Sequence, residues 1–180
     1  MAKGPQFERD LSRKLSLWWT DNDRDDVFWR TSSSGARATS RAKSGKKTAY
    51  EGGDIRHLDP IGEPLIKCFL LELKRGYNSE TDLLDLLNPK KKSLLMEWWT
   101  KAEMEKRRDD RRNHALILHR DRKNTLIFLE HDFVSEQESK YSGNITFPII
   151  VVKNSYDINI ISLDNFFTWV SPEDIKMRLK

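Results

Sequence analysis

The sequence has little cysteine and no long apolar segment. Cys68 is the one cysteine in 180 residues, so no disulfide framework can form and a reducing, cytosolic setting is expected. The first ten residues lack the apolar core of a signal peptide, and the apolar run PIIVV (148–152) is far too short to cross a bilayer. We therefore expect a cytoplasmic protein without membrane contact.

Several common site patterns are also missing. The four histidines do not stand at zinc-site spacing from Cys68. The segment HRDRKN (119–124) resembles a kinase catalytic loop, but its Asn follows the Asp too closely and no Gly-rich phosphate loop exists. No internal repeat is visible. A zinc site, a kinase and a repeat protein are therefore excluded as interpretations.

The positive charge is unevenly distributed. The formal net charge is +4, yet residues 1–112 hold 24 Lys and Arg against 19 Asp and Glu, whereas residues 113–180 hold 8 against 9. Residues 35–47 form a basic segment without an acidic residue, rich in Ser, Thr and Gly. Such a loop favours a polyanion as its partner, through phosphate neutralisation, although a merely solvated linker would have the same composition. Its basic residues are Arg37, Arg41, Lys43, Lys46 and Lys47.

The apolar periodicity predicts a helix, then strands, then a mixed succession of both. Residues 6–19 repeat apolar side chains at helical spacing, and residues 27–31, 53–59 and 66–75 are typical of strands. The short segment PIGEP (60–64) is expected to join the last two as a hairpin. Asn88 and Pro89 predict the start of a second long helix that runs to about Arg108.

The remainder is predicted to be mainly β-structure. Residues 114–119 and 125–131 form a strand pair, residues 145–153 and 158–163 add further strands, and Ser171 caps a short final helix. The fold class is α/β in the broad sense, a mixed α+β arrangement with helices packed over a central sheet. We expect one domain over residues 1–180.

Three charged residues fall in or beside two of the strands that otherwise look buried. On a strand, Glu72 and Lys74 share one face while Phe69, Leu71 and Leu73 share the other. The predicted hairpin would bring Asp54 within a few ångströms of Glu72. Two such carboxylates form an oxygen site suited to Mg²⁺ or Mn²⁺, and Lys74 could orient or deprotonate an attacking water and offset developing charge. Phosphodiester cleavage is the reaction that this set predicts.

The order of these pieces resembles a known family. A Glu in the first helix (FERDL), a Ser-Gly pair in a basic loop (SSSGAR), then GDI and ELK follow one another as in the PD-(D/E)XK nuclease superfamily, in particular its Holliday junction resolvase-like branch. The similarity covers about residues 6–119. It implies a restriction-endonuclease-like core over about 6–130, with a central mixed sheet flanked by helices, and leaves 131–180 as a C-terminal β/α extension.

The resemblance also implies a role for each site residue. Asp54, Glu72 and the backbone carbonyl of Leu73 would bind the metal, and Lys74 would be the catalytic lysine. Glu8 would hold a metal-bound water or act as an outer ligand, although a solvated helix face would also explain it. One departure is that Gly53, and not proline, precedes Asp54.

Two further residues are possible lining groups of the same site. Ser34 comes from the Ser-Gly pair, and Lys101 comes from the helix that follows Glu-x-Lys. Taken alone, Ser34 is an ordinary loop serine and Lys101 is a member of an intrahelical ion pair.

The resemblance implies a Mg²⁺-dependent DNA endonuclease, with Mn²⁺ as an alternative ion, that acts on junction or branched DNA. It would be encoded by a phage or other mobile element, work in the host-cell cytoplasm as a homodimer, and track the DNA backbone with its basic loop. One alternative is a non-catalytic nucleic-acid-binding or regulatory protein that keeps the fold. Another is an inhibitor or partner-binding protein that works through the β-structure of residues 145–163.

Overall fold

The computed structural model describes residues 3–31, 52–77, 81, 92–139, 149–153 and 156–179. The helices in these ranges are α1 (Lys3–Trp19), α2 (Glu63–Cys68), α3 (Leu94–Arg108), α4 (His131–Glu138), α5 (Leu163–Trp169) and α6 (Pro172–Met177). The strands are β1 (Phe28–Arg30), β2 (Ile55–His57), β3 (Phe69–Arg75), β4 (Asn113–His119), β5 (Leu126–Glu130), β6 (Ile149–Lys153) and β7 (Tyr156–Ser162).

A mixed sheet forms the centre of the molecule. In the part of the chain that the structure describes, its strands lie in the order β3-β4-β5-β7-β6. β3 and β4 run parallel, and the other neighbours are antiparallel. β1 and β2 pair antiparallel in a separate ribbon. The predicted mixed α+β class with helices over a central sheet is confirmed.

Apolar side chains cover both faces of the sheet. On one face α1 contributes the buried residues Phe7, Leu11, Leu15 and Trp19. They repeat at the helical spacing that the sequence predicts. On the other face α3 contributes a smaller cluster around Trp99. Because β3 lies between these two layers, its two sets of alternating side chains point into different surroundings.

The predicted alternation of β3 is confirmed. Phe69, Leu71 and Leu73 belong to the core cluster on the α1 face. Lys74 faces the other way, with its ammonium 5.6 Å from the centre of the Trp98 ring on α3. Glu72 shares its side of the strand, because side chains two residues apart point the same way.

The predicted hairpin between residues 53–59 and 66–75 is wrong. After β2 the chain forms a 3-10 turn over Pro60–Gly62 and then α2, and the partner of β2 is β1. Proline and glycine are common in turns, but Pro64 lies in the first turn of α2, where a missing N–H costs nothing. The apolar residues at the start of the predicted strand lie in α2 and are buried there.

The predicted start of the long helix is also wrong. Asn88 and Pro89 lie outside the described residues, but Ser93 has an extended backbone with φ −108° and ψ 122°, so α3 begins at Leu94. The predicted end at Arg108 is confirmed.

The predicted C-terminal strands and the final helix are confirmed, but α4 and α5 were not predicted: His131 and Leu163, placed at the ends of strands, each begin a helix. β4 and β5 pair antiparallel, and β6 and β7 join the same sheet. Ser171 caps α6, with its hydroxyl oxygen accepting from the N–H of Asp174 at 3.2 Å. None of the helices within the described ranges is long and apolar enough to span a bilayer.

Candidate active site

The backbone before Asp54 follows the outer edge of β3. The N–H of Asp54 donates to the carbonyl oxygen of Leu71 at 2.8 Å, and Oδ2 of Asp54 accepts from the N–H of Leu73 at 2.7 Å. A strand residue points its N–H and C=O to the same edge. The carbonyl of Leu73 is therefore directed to the side of β3 on which Asp54 lies.

Gly53 makes this approach possible. Its φ is +79°, and an added Cβ would lie 2.9 Å from the carbonyl oxygen of Leu71. Proline, with φ fixed near −65°, could not adopt this conformation. The departure from a Pro-Asp pair is thus a local backbone requirement of this chain.

Glu72 and Lys74 form a close ion pair beside Asp54. Nζ of Lys74 lies 2.5 Å from Oε1 of Glu72, with only 7% of the Glu72 side chain and 18% of the Lys74 side chain exposed. Trp98 lies against Lys74 in a cation–π contact. The proximity that the sequence predicted for Asp54, Glu72 and Lys74 is observed, although a helix and not a hairpin connects the two segments.

Burial and charge shift the pKa of both ends of this cluster. Burial, and then the negative charge of Glu72, raise the pKa of Asp54 to about 7, and Glu8 adds to the effect. Burial alone would lower the pKa of Lys74, but Glu72 and Asp54 outweigh it and raise the pKa. Lys74 is therefore an ammonium at neutral pH and lies beside the carboxyl groups of Glu72 and Asp54, which repel each other when both are ionised.

The donor set fits a hard divalent cation. A cation between Asp54 and Glu72 would relieve the repulsion that raises the pKa of Asp54, and both residues offer oxygen. No group of three or more His, Cys, Asp or Glu side chains within the described ranges is arranged to hold a metal. An ion here would complete its shell from backbone, water or substrate, which is how Mg²⁺ is usually held.

Glu8 lies close to this cluster. It projects from α1 with Oε2 3.5 Å from Nη1 of Arg30 on β1, and its charge reaches Asp54. The pairing with Arg30 places the first helix and the β1–β2 ribbon against the same site.

Asp109 and Arg111 hold the segment that carries Asp54, and the sequence did not reveal this role. Oδ2 of Asp109 accepts from the N–H of Gly52 at 2.6 Å. Nη2 of Arg111 donates to the carbonyl oxygen of Gly52 at 2.8 Å, and Nη1 donates to that of Phe69 at 3.0 Å. The Arg111 side chain is fully buried. In the sequence Asp109 and Arg111 are merely two charged residues after the end of a helix, 57 and 59 positions from Gly52, and no local pattern distinguishes them.

Lys101 lies one helical turn from Trp98. Its Nζ is 3.8 Å from Oε1 of Glu105, and 62% of its side chain is exposed. The intrahelical ion pair is therefore present, and a role in lining the site stays a prediction. The residues Ser34, Arg37, Arg41, Lys43, Lys46 and Lys47 lie outside the described residues.

Nearly the whole chain, and not only this cluster, matches a family model. The model is described as "Phage putative PDDEXK endonuclease" and matches residues 1–177. The chain belongs to the phage PDDEXK endonuclease family. The predicted superfamily is thereby confirmed, and the match extends beyond residue 119 to include β5, β7 and the C-terminal helices.

PDDEXK membership assigns a coarse function. The chain is a nuclease of the PD-(D/E)XK type, a class that binds DNA and generally uses divalent metals. No curated protein and no solved structure matches it. The junction-resolvase branch is not tested by the match and stays a prediction.

Proposed function

We propose that the chain is a Mg²⁺-dependent endonuclease that hydrolyses phosphodiester bonds in DNA, with Mn²⁺ as an alternative ion. The observation that carries the proposal is the Asp54 carboxylate, held by the N–H of Leu73 at the edge of β3 beside the Glu72–Lys74 pair. Two carboxylates and one ammonium thus lie close enough to influence one another electrostatically.

Asp54, Glu72 and the carbonyl of Leu73 would hold the ion. When bound, Mg²⁺ would lower the pKa of a water molecule and stabilise the negative charge that develops on the phosphate. Both carboxylates are largely buried, and their backbone is fixed by β3 and by the hydrogen bonds of Gly52 and Asp54. The ligands are therefore preorganised before substrate binds.

Lys74 would contact the scissile phosphate. Its ammonium donates to Glu72 in the free protein, and a phosphate oxygen would replace or share that acceptor. Burial lowers the pKa of Lys74, but the neighbouring carboxylates raise it by more. Lys74 therefore stays protonated, and its role is to stabilise charge and donate hydrogen bonds, not to remove a proton. Glu8 would act from α1 as an outer ligand.

The DNA would be contacted by the basic segment of residues 35–47. Arg37, Arg41, Lys43, Lys46 and Lys47 would contact the backbone, and Ser34 and Lys101 would line the site. We further propose branched or junction DNA as substrate. A symmetric four-way junction needs two active sites, so the working form would be a homodimer in the cytoplasm of the host cell.

The proposal is tested by cleavage of linear, supercoiled and four-way junction DNA with Mg²⁺ and with EDTA. Asp54→Ala and Lys74→Ala should bind DNA as the native protein does but cut at least about 100-fold more slowly. Asp26→Ala and Lys14→Ala are matched controls, because both side chains are surface ion-pair members with at least half of their surface exposed. These controls should cut at the native rate.

Two results would count against the proposal. Equal cutting by native protein and Asp54→Ala would remove the catalytic assignment. DNA binding without any metal-dependent cutting would favour the non-catalytic nucleic-acid-binding protein. Light scattering of the protein on a four-way junction tests the homodimer, and a monomer there would contradict it.

A further inference from the structure

Tyr77 occupies an unusual backbone conformation directly after the candidate catalytic strand. Its φ is +55°, and the preceding Gly76 also has a positive φ of +91°. Bulky side chains rarely adopt this region, and such strained residues persist only where the surrounding structure enforces them, often at functional sites. The chain therefore turns sharply just three residues after Lys74.

Hydrogen bonds fix the turn from both sides. The N–H of Gly76 donates to the carbonyl oxygen of His119 at 3.1 Å. The carbonyl oxygen of Tyr77 accepts from the hydroxyl of Thr81 at 2.7 Å and from its N–H at 3.2 Å. Thr81 is buried, and its own carbonyl accepts from Arg120 at 2.8 Å. The strained conformation is thus maintained by the end of β4 and by a buried threonine.

The consequence of this strain is the position of the Tyr77 ring. The ring centre lies 4.8 Å from that of Trp98 at an interplanar angle of 68°, and Trp98 in turn lies against the ammonium of Lys74. Tyr77 is also within electrostatic range of Lys74. Even so, 43% of Tyr77 is exposed. A rigidly placed aromatic ring therefore faces solvent beside the group that would contact the scissile phosphate.

An exposed ring in this position can recognise only certain DNA. In a regular duplex both faces of each base are covered by its neighbours, so a side chain beside the backbone finds no free base face. An unpaired base at a branch or flap offers one, and stacking on an aromatic side chain is tolerant of base identity. We propose that Tyr77 stacks on an unpaired base next to the scissile phosphate and thereby selects DNA with unpaired bases at the point of cleavage.

This inference rests on the proposed nuclease function but can be tested separately from it. Stacking is measured with 2-aminopurine, placed in turn at the first three unpaired positions on either side of a fork, with Ca²⁺ replacing Mg²⁺ so that binding is observed without relying on cleavage. The same sequence fully paired is the reference. Native protein should change the fluorescence of the unpaired probe at one of these positions and leave the paired probe unchanged.

Two substitutions separate the ring from the hydroxyl. Tyr77→Asn removes the ring, and asparagine accepts a positive φ better than most side chains. Tyr77→Phe keeps the ring and removes the hydroxyl. Trp29→Leu is the matched control, since Trp29 is another exposed aromatic, 37% accessible, on β1. Tyr77→Asn should abolish the fluorescence change and lower affinity for the fork about tenfold, and Tyr77→Phe and Trp29→Leu should keep both.

The cleavage counterpart is the ratio of kcat/KM on forked DNA to kcat/KM on duplex DNA. We expect Tyr77→Asn to lower this ratio about tenfold. A native-like fluorescence change and ratio in Tyr77→Asn would overturn the proposal. A Tyr77→Phe variant as defective as Tyr77→Asn would also overturn it, because the hydroxyl and not the ring would then be the contact. If native protein shows the fluorescence change but never cuts, the nuclease proposal fails and the stacking role stands.

Discussion

Leu73 donates its backbone N–H to Oδ2 of Asp54 at 2.7 Å, although the two residues are 19 positions apart. The N–H of Asp54 returns a bond of 2.8 Å to Leu71. The backbone and side chain of Asp54 thus pair with the edge of β3 as a short strand would. The position of the candidate metal ligand is consequently set by backbone geometry. Substitutions that alter this backbone should therefore displace the Asp54 carboxylate.

Gly53→Ala should destabilise the protein more than Gly76→Ala. Both residues have a positive φ, so an alanine costs about 1–2 kcal/mol at either place. Only at Gly53 would the new Cβ also meet backbone, 2.9 Å from the carbonyl oxygen of Leu71, whereas nothing lies within 4 Å at Gly76. Urea unfolding of both variants measures the difference. Equal losses would mean that the close approach to β3 is not present in solution.

Arg111→Met should cost about 3 kcal/mol or more of unfolding free energy. The substitution leaves the carbonyls of Gly52 and Phe69 without these donors and leaves Asp109 buried beside a neutral side chain. Arg107→Met is the control, because Arg107 is 75% exposed and pairs with Glu103 one turn away on its own helix, and it should cost less than about 1 kcal/mol. A similar small loss for both variants would contradict the holding role of Arg111.

Asp54→Asn should stabilise the metal-free protein at pH 8 and not at pH 3. Burial, and next the charge of Glu72, raise the pKa of Asp54 to about 7 from 3.8. Between those values the folded protein keeps a proton that the unfolded chain has released, so stability falls as pH rises. Asparagine has no charge and should avoid this loss. At 1.36 kcal/mol per pKa unit, the free energy of unfolding at pH 8 should be higher in Asp54→Asn by as much as about 4 kcal/mol.

Asp26→Asn is the control of opposite sign. The hydrogen bond from Arg24 lowers the pKa of Asp26, so this carboxylate contributes stability above its unfolded pKa that is lost in acid. Its replacement should slightly destabilise the protein at neutral pH. Denaturant unfolding from pH 3 to pH 8 in EDTA checks both. An Asp54→Asn curve parallel to the native curve over that range would show that Asp54 titrates normally.

Mg²⁺ should raise the Tm of the native protein at pH 8 but not that of Asp54→Asn. A cation that binds only the folded state stabilises it by about 2.7 kcal/mol at a concentration of 100 Kd. Asp26→Asn should respond as the native protein does. An equal shift in native protein and Asp54→Asn would place the ion elsewhere on the chain.

Local periodicity predicted the faces of the elements. The helical repeat of Phe7, Leu11 and Leu15 and the alternation along β3 were both confirmed, because each pattern spans only a few turns or strand residues. The pairing of β4 with β5 follows from a short polar turn between two apolar runs. These features depend on neighbours in sequence, which a sequence displays directly.

Connections and long-range contacts were harder to predict. The segment PIGEP contains residues that suit a hairpin turn and the first turn of a helix equally well, and burial of Leu65 and Ile66 decides for the helix. Asp109 and Arg111 reach Gly52 across more than 50 positions. No local pattern distinguishes such buried charges from the surface charges beside them.

Crystals soaked in Mn²⁺ provide the most direct test of the central claim, that Asp54 and Glu72 share one divalent cation at the edge of β3. An anomalous difference map at the manganese edge locates the ion. We predict one peak about 2.0–2.3 Å from a carboxylate oxygen of each residue and from the carbonyl oxygen of Leu73, and no peak there in crystals of Asp54→Asn. A saturated crystal with manganese bound only elsewhere, or with an ion that contacts one of the two carboxylates alone, would contradict the account.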